Sequence, residues 1–138
     1  MKYATAAAFR QALLARLKQQ AEAQGVAVDR MRKRIVFERL LARLRVVTRG
    51  RWALKGALAL DFRNPTRARS TKDADLVMPT EIEQLTEDLL AVERKDLGDF
   101  FNFTIRRTED PETDQPEPTA RFHVTAEIAG QVFDEARI

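Results

Sequence analysis

Apolar residues return at helical intervals in the first third of the chain and at alternate positions in the last third. Phe9, Leu13, Leu14, Leu17 and Ala21 form one stripe over residues 4–24, which predicts a first helix ended by Gly25. Asp29 is placed to cap a second helix from Arg30 to about Leu44. Its buried face would be Met31, Ile35, Val36, Leu40, Leu41 and Leu44, and its outer face the cations Arg32, Lys33, Arg39 and Arg43. Val46-Val47-Thr48 and Trp52-Ala53-Leu54 then flank an Arg49-Gly50-Arg51 turn, and the second of these segments reads as a strand running into Lys55-Gly56. Trp52 is expected to pack. A short helix over 57–62 and an Asn64-Pro65 loop over 63–69 lead to a strand at 73–77 closed by Pro79.

Thr80 followed by Glu83 has the spacing of a capping box. It opens a third helix to about Lys95, carrying Ile82, Leu85, Leu89, Leu90 and Val92 inward. Phe101, Phe103 and Ile105 alternate with polar residues in a strand over 101–107. Phe122, Val124, Ala126 and Ile128 do the same over 121–128. Ala129-Gly130-Gln131 turns that strand into a last one, Val132 to Ile138, while the acidic, proline-rich stretch 108–119 reads as an exposed loop. His123 is expected to face solvent or a second layer of the sheet. Arg106-Arg107 reads as a surface pair or a contact to nucleic acid. The fold these elements predict is α+β: a small mixed sheet with helices on one side. A basic helical segment over 1–51 would precede a core over 52–138.

Charge sharpens this division. Residues 1–52 hold thirteen lysines and arginines against three acids, a net of +10, whereas residues 80–138 hold six against fifteen, a net of −9. Such segregation fits either a polyanionic partner for the front of the chain or mutual neutralisation of its two ends in the fold. The outer face of the second helix reads as a solvated face, and the scarcity of acids among its cations adds contact with phosphate as the alternative. There is no cysteine, so disulfides and thiolate metal sites are excluded. No apolar run approaches the ~20 residues that span a bilayer, so no membrane role is expected and the cytoplasm is the default location.

The chemistry is concentrated between Trp52 and Pro79. Asp73 and Asp75 are two apart on the expected strand, so both carboxylates stand on one face. Two anions that close repel unless a cation lies between them, and hard carboxylate oxygens suit Mg²⁺ or Mn²⁺. Upstream, Lys55-Gly56 breaks a strand into a helix. A turn of that kind lets backbone N–H groups approach a triphosphate, helped by the positive end of the helix. Lys55, Arg69 and Lys72 are then placed to hold phosphate oxygens. Ser70 and Thr71 either hydrogen-bond the loop or contact phosphate. A lysine–glycine turn, an Arg-Ser-Thr loop and an Asp-x-Asp strand together point to metal-assisted nucleotidyl transfer from a nucleoside triphosphate (NTP).

The arrangement resembles the DNA polymerase β-like nucleotidyltransferase superfamily, and more closely the AbiEii-type nucleotidyl transferase toxins of bacterial toxin–antitoxin and abortive-infection systems. That family's pattern is Leu-Lys-Gly-Gly-x-Ala-Leu, a variable loop, then Arg-x-(Ser/Thr)-x-Asp-x-Asp-Leu. Here it stands as Leu54-Lys55-Gly56-Ala57-Leu58-Ala59-Leu60 and Arg69-Ser70-Thr71-Lys72-Asp73-Ala74-Asp75-Leu76. The helical stretch Met31–Leu44 and the hairpin Phe122–Phe133 are also similar. The resemblance implies Asp73 and Asp75 as metal ligands and catalytic groups, with Lys55 beside them. Gly56, Ala57, Arg69, Ser70, Thr71 and Lys72 would then bind nucleotide. It further implies an NTP substrate, an acceptor such as tRNA reached through the basic N-terminal helices, and a cognate antitoxin protein.

Two departures stand out. Ala57 replaces the second glycine and adds a methyl group where backbone approaches phosphate. The third carboxylate of such sites is expected just after Ile138; Glu127 and Glu135 belong to the hairpin and are not assigned to it. A last strand that ends on its own apolar residue reads as a cut, so the chain is expected to be an N-terminal piece of a longer protein, with reduced activity. Two other readings follow: an inactive nucleic-acid- or partner-binding module that kept the fold, and a nucleotidyltransferase acting on a small molecule.

Overall fold

The computed structural model describes residues 3–49, 53–55, 75–77, 82–108 and 120–138. Among these residues three helices, α1 (Ala6–Gln24), α2 (Val28–Thr48) and α3 (Ile82–Arg94), accompany five strands. The strands are β1 (Ala53–Lys55), β2 (Asp75–Val77), β3 (Phe101–Arg107), β4 (Phe122–Ile128) and β5 (Gln131–Arg137). β1 pairs with β2, and a second sheet has the order β3-β4-β5. Every pairing among the described strands is antiparallel. The fold is α+β, as the alternation of periods predicts. The expected helix over 57–62, the loop over 63–69, the capping position Thr80, Trp52 and the stretch 109–119 lie outside the described residues. Among the described residues no helix is long and apolar enough to cross a membrane.

Local chemistry explains the ends of α1. Thr5 is its N-cap, and its hydroxyl accepts from Ala8 N–H at 3.1 Å. Gly25 takes φ 66° at the C-cap, a left-handed conformation that costs glycine little. α2 starts earlier than Asp29 predicts. Its N-cap is Ala27, and Asp29 falls in the first turn, where a carboxylate still complements the helix dipole. It also runs later. Val46-Val47-Thr48 is the last turn of α2 and not a strand, because Val47 packs on the core and the buried Thr48 hydroxyl donates to Leu44 C=O at 2.7 Å. Three β-branched residues are a weak signal against such packing.

The helices cover one face of the β3–β5 sheet. β4 alternates strictly, with Phe122, Val124, Ala126 and Ile128 buried and the residues between them half-exposed. Phe101 and Phe103 of β3, and Phe133 and Ala136 of β5, extend that inner face. Val36, Phe37, Leu40 and Leu44 of α2 and Leu89 and Val92 of α3 close over it. Burial of this kind contributes roughly 1.5–3 kcal/mol per large apolar side chain. Leu90, expected inside, is 44% exposed. Its neighbours Leu89 and Val92 hold the inward positions of α3.

β5 carries a bulge. Ala126 pairs with Asp134 but Glu127 pairs with Val132, so Phe133 is the extra residue. Phe133 is therefore buried and meets Phe101 edge-on, with centroids 5.6 Å apart, while Val132 is exposed. Asp134, next to it, reaches Lys33 of α2 at 3.1 Å. Phe9 of α1 lies 5.4 Å from Phe100 and 6.0 Å from Phe101, and pins α1 to the same cluster. On the side of β3 away from β4, Ile105 N–H donates to the Glu93 carboxylate at 2.9 Å.

Candidate functional site and the fate of the basic helix

β1 and β2 are the structural frame of the motif. Ala53 pairs with Val77, Leu54 with Leu76 and Lys55 with Asp75. Two candidate site residues, twenty apart in sequence, are thus direct cross-strand partners. Antiparallel pairing also makes the chain leave β1 at Lys55 and enter β2 at Asp75 at the same end of the pair. The connection that carries Gly56, Ala57, Arg69, Ser70, Thr71, Lys72 and Asp73 begins and finishes there. Those seven residues, and the side chains of Lys55 and Asp75, lie outside the described residues. Facing residues of an antiparallel pair have Cα atoms about 4.5–5.5 Å apart, within reach of a lysine–carboxylate interaction.

The chemistry of this donor set fits a divalent ion. Asp73 and Asp75 offer hard oxygens, the ligand type of Mg²⁺ and Mn²⁺, and no cysteine or histidine stands between Trp52 and Pro79. Among the described residues there is no cluster of three or more histidines, aspartates or glutamates able to hold a metal. Glu127 is half-exposed on β4, and Glu135 is exposed on β5 with its carboxylate 3.6 Å from His123 Nε2.

Of the four cations expected on the outer face of α2, Arg32, Lys33 and Arg39 are half-exposed and Arg43 turns inward. Arg43 is 1% exposed. All five of its N–H donors have acceptors. Nη2 reaches Asp99 Oδ1 at 2.7 Å and Phe101 C=O at 3.0 Å. Nη1 reaches Asp99 Oδ2 at 2.9 Å and Arg39 C=O at 3.2 Å, and Nε reaches Lys95 C=O at 3.3 Å. The guanidinium also lies over the Phe103 ring, 4.8 Å from its centroid. Arg39 adds a longer contact to Asp99 at 3.4 Å. Lys33 is tied to Asp134 and also donates to Glu135 C=O. Three cations of α2, Lys33, Arg39 and Arg43, thus meet two acids of the C-terminal half, Asp134 and Asp99.

The inward turn of Arg43 has one sign in the sequence, since the residue stands three after Leu40 and seven after Val36, on the inward stripe. Its partner Asp99 has no such signal. Asp99 sits in the link between α3 and β3, flanked by Gly98 at φ 69° and Phe100 at φ 67°. Burial pushes the Asp99 carboxyl up. The Arg43 hydrogen bonds and charge, the Phe101 amide and the charge of Arg39 outweigh it and hold the carboxyl below its ordinary value.

A family model described as "Nucleotidyl transferase AbiEii toxin, Type IV TA system" matches residues 39–138. The match begins inside α2 and takes in β1 to β5, including the Arg43–Asp99 pair and the whole Lys55–Asp75 motif. No curated protein matches the chain.

Proposed function

Because this chain belongs to the family of AbiEii nucleotidyl transferase toxins of type IV toxin–antitoxin systems, we propose that it transfers a nucleoside monophosphate from an NTP to an RNA acceptor such as tRNA. The observation that carries this reading is the register of β1 and β2, with Lys55 opposite Asp75 at the end of the pair from which residues 56–74 leave and to which they return. In this reading Asp73 and Asp75 hold Mg²⁺ or Mn²⁺, and Lys55 sets a positive charge against the triphosphate. Gly56 and Ala57 bring backbone N–H groups to phosphate. Arg69 and Lys72 bind its outer oxygens, and Ser70 and Thr71 position the loop or donate to the same oxygens. Asp73 and Asp75 would hold the divalent ion, and its positive charge would be available to offset charge developing on the transferred phosphate. The cognate antitoxin is the partner that limits this activity in the cell.

Ala57 favours a second reading, a module that keeps the fold and binds without transferring. One incubation separates the possibilities: the chain with each of four labelled NTPs, Mg²⁺ and total RNA. Label in RNA is the expected result. Label confined to small molecules would replace the acceptor with a metabolite. Binding of NTP with no transfer at all would favour the inactive module.

A further inference from the structure

α1 is lightly tied to the fold compared with α2. Two of its nineteen residues are fully buried, Leu17 and Ala21, against seven of twenty-one in α2. Segments with little buried surface open locally at the smallest free-energy cost. Both buried residues lie in the second half of α1. The first half is anchored by Phe9, whose ring stands 5.8 Å from Tyr3, 5.4 Å from Phe100 and 6.0 Å from Phe101. Phe100 is itself strained. Its φ is 67°, a left-handed backbone that glycine adopts freely and a bulky residue resists.

A residue in that state persists where its surroundings hold it. Asp99, immediately before Phe100, is gripped by the Arg43 guanidinium at 2.7 and 2.9 Å and accepts the Phe101 N–H at 3.2 Å. Phe101, immediately after, is buried at the start of β3. The backbone is fixed on both sides of Phe100, and its ring meets α1.

We propose that Phe100 is a strained latch that couples the docking of α1 to the Arg43–Asp99 pair. Loss of the pair frees the backbone around Phe100, which relaxes to negative φ and withdraws its ring from Phe9. The first half of α1 then opens and uncovers Phe101. In the other direction, loss of the Phe9 ring removes a contact that favours the left-handed state, and Asp99 loosens. The latch joins two parts of the chain, because Phe9 precedes the residues that match the family model, whereas Arg43, Asp99 and Phe100 lie within them. In this reading α1 is a hinged cover over one end of the β3–β5 sheet.

Amide hydrogen exchange on the full chain, followed by NMR, tests the coupling in both directions. Asp99→Asn should speed exchange of residues 10–14 by about tenfold or more. Phe9→Leu should do the same to the Phe101 amide, which reports on Asp99. Phe122→Leu, a core change at the far end of β4 from the residue that pairs with Phe101, should alter both by less than about threefold. Phe100→Gly should have a higher urea midpoint than Phe100→Ala, since both lose the ring and glycine alone sheds the strain. Should Asp99→Asn not fold, the Phe9 and Phe100 variants decide the matter alone. Residues 10–14 unchanged in a folded Asp99→Asn, a Phe101 amide indifferent to Phe9→Leu, equal acceleration by Phe122→Leu, or a Phe100→Ala midpoint at or above that of Phe100→Gly would each overturn the latch.

Discussion

Arg43 and Asp99, fifty-six residues apart, form a two-pronged ion pair inside the protein at 2.7 and 2.9 Å. It joins the middle of α2 to the link between α3 and β3, and hydrogen bonds to the carbonyls of Arg39, Lys95 and Phe101 complete the guanidinium's shell. A fork of five donors with five acceptors is a geometry that lysine cannot reproduce.

Truncating Arg43 should therefore be among the most damaging single changes in the helical layer. Arg43→Ala leaves the Asp99 carboxylate buried without its main partner, a situation that costs about 3–5 kcal/mol. Arg43→Lys keeps the charge, loses the fork, and should fall between wild type and alanine. Urea midpoints of the three proteins check the order. An Arg43→Ala midpoint equal to wild type would mean that the pair holds nothing together.

Acid should attack the same ion pair. A carboxyl whose folded value is lowered stabilises the fold above its unfolded value of about 3.9, and that contribution is lost as pH falls through the lower folded value. Asp99 is such a group. Its contribution should be constant from neutral pH down to about pH 5 and decline below about pH 4. Thermal melts should show the acid-side fall in wild type and a shallower one in Asp99→Asn, which starts from a lower melting temperature. Parallel curves for the two proteins would place the acid sensitivity elsewhere.

The β4–β5 hairpin contains a correctable strain. Its two turn residues, Ala129 and Gly130, take φ 56° and 74°, the two positive values of a type I′ turn. Glycine accepts this freely, whereas alanine suffers a steric penalty that asparagine largely avoids. Ala129→Asn should raise stability by about 0.5–1 kcal/mol, read as a higher denaturant midpoint with an unchanged slope. A lower midpoint would argue against the turn geometry.

Much of this architecture is legible from periodicity, and the exceptions share a cause. The alternation over Phe122–Ile128 matches burial residue for residue, because one face of β4 meets the core and the other does not. Thr5 and Gly25 end α1 through contacts within a few residues. The pairing of Arg43 with Asp99 joins residues fifty-six apart, and Phe133 and Asp134 share a bulge whose register depends on β4. Those are long-range relations that local pattern does not contain. The candidate site divides the same way. The Lys-Gly turn and the Asp-x-Asp pair are readable as motifs, but strands of three residues are too short for periodicity to set the pairing of Lys55 with Asp75.

The most direct test of the account is metal-dependent nucleotide binding at that pairing. Mn²⁺ titrated into the chain with NTP, followed by electron paramagnetic resonance, should show a bound ion that Asp75→Asn weakens at least tenfold. Lys55→Gln should weaken NTP binding while the protein stays folded. Bound Mn²⁺ that is indifferent to Asp75→Asn, or no bound Mn²⁺ at millimolar NTP, would contradict the claim that the Lys55–Asp75 end of the β1–β2 pair is a nucleotide site.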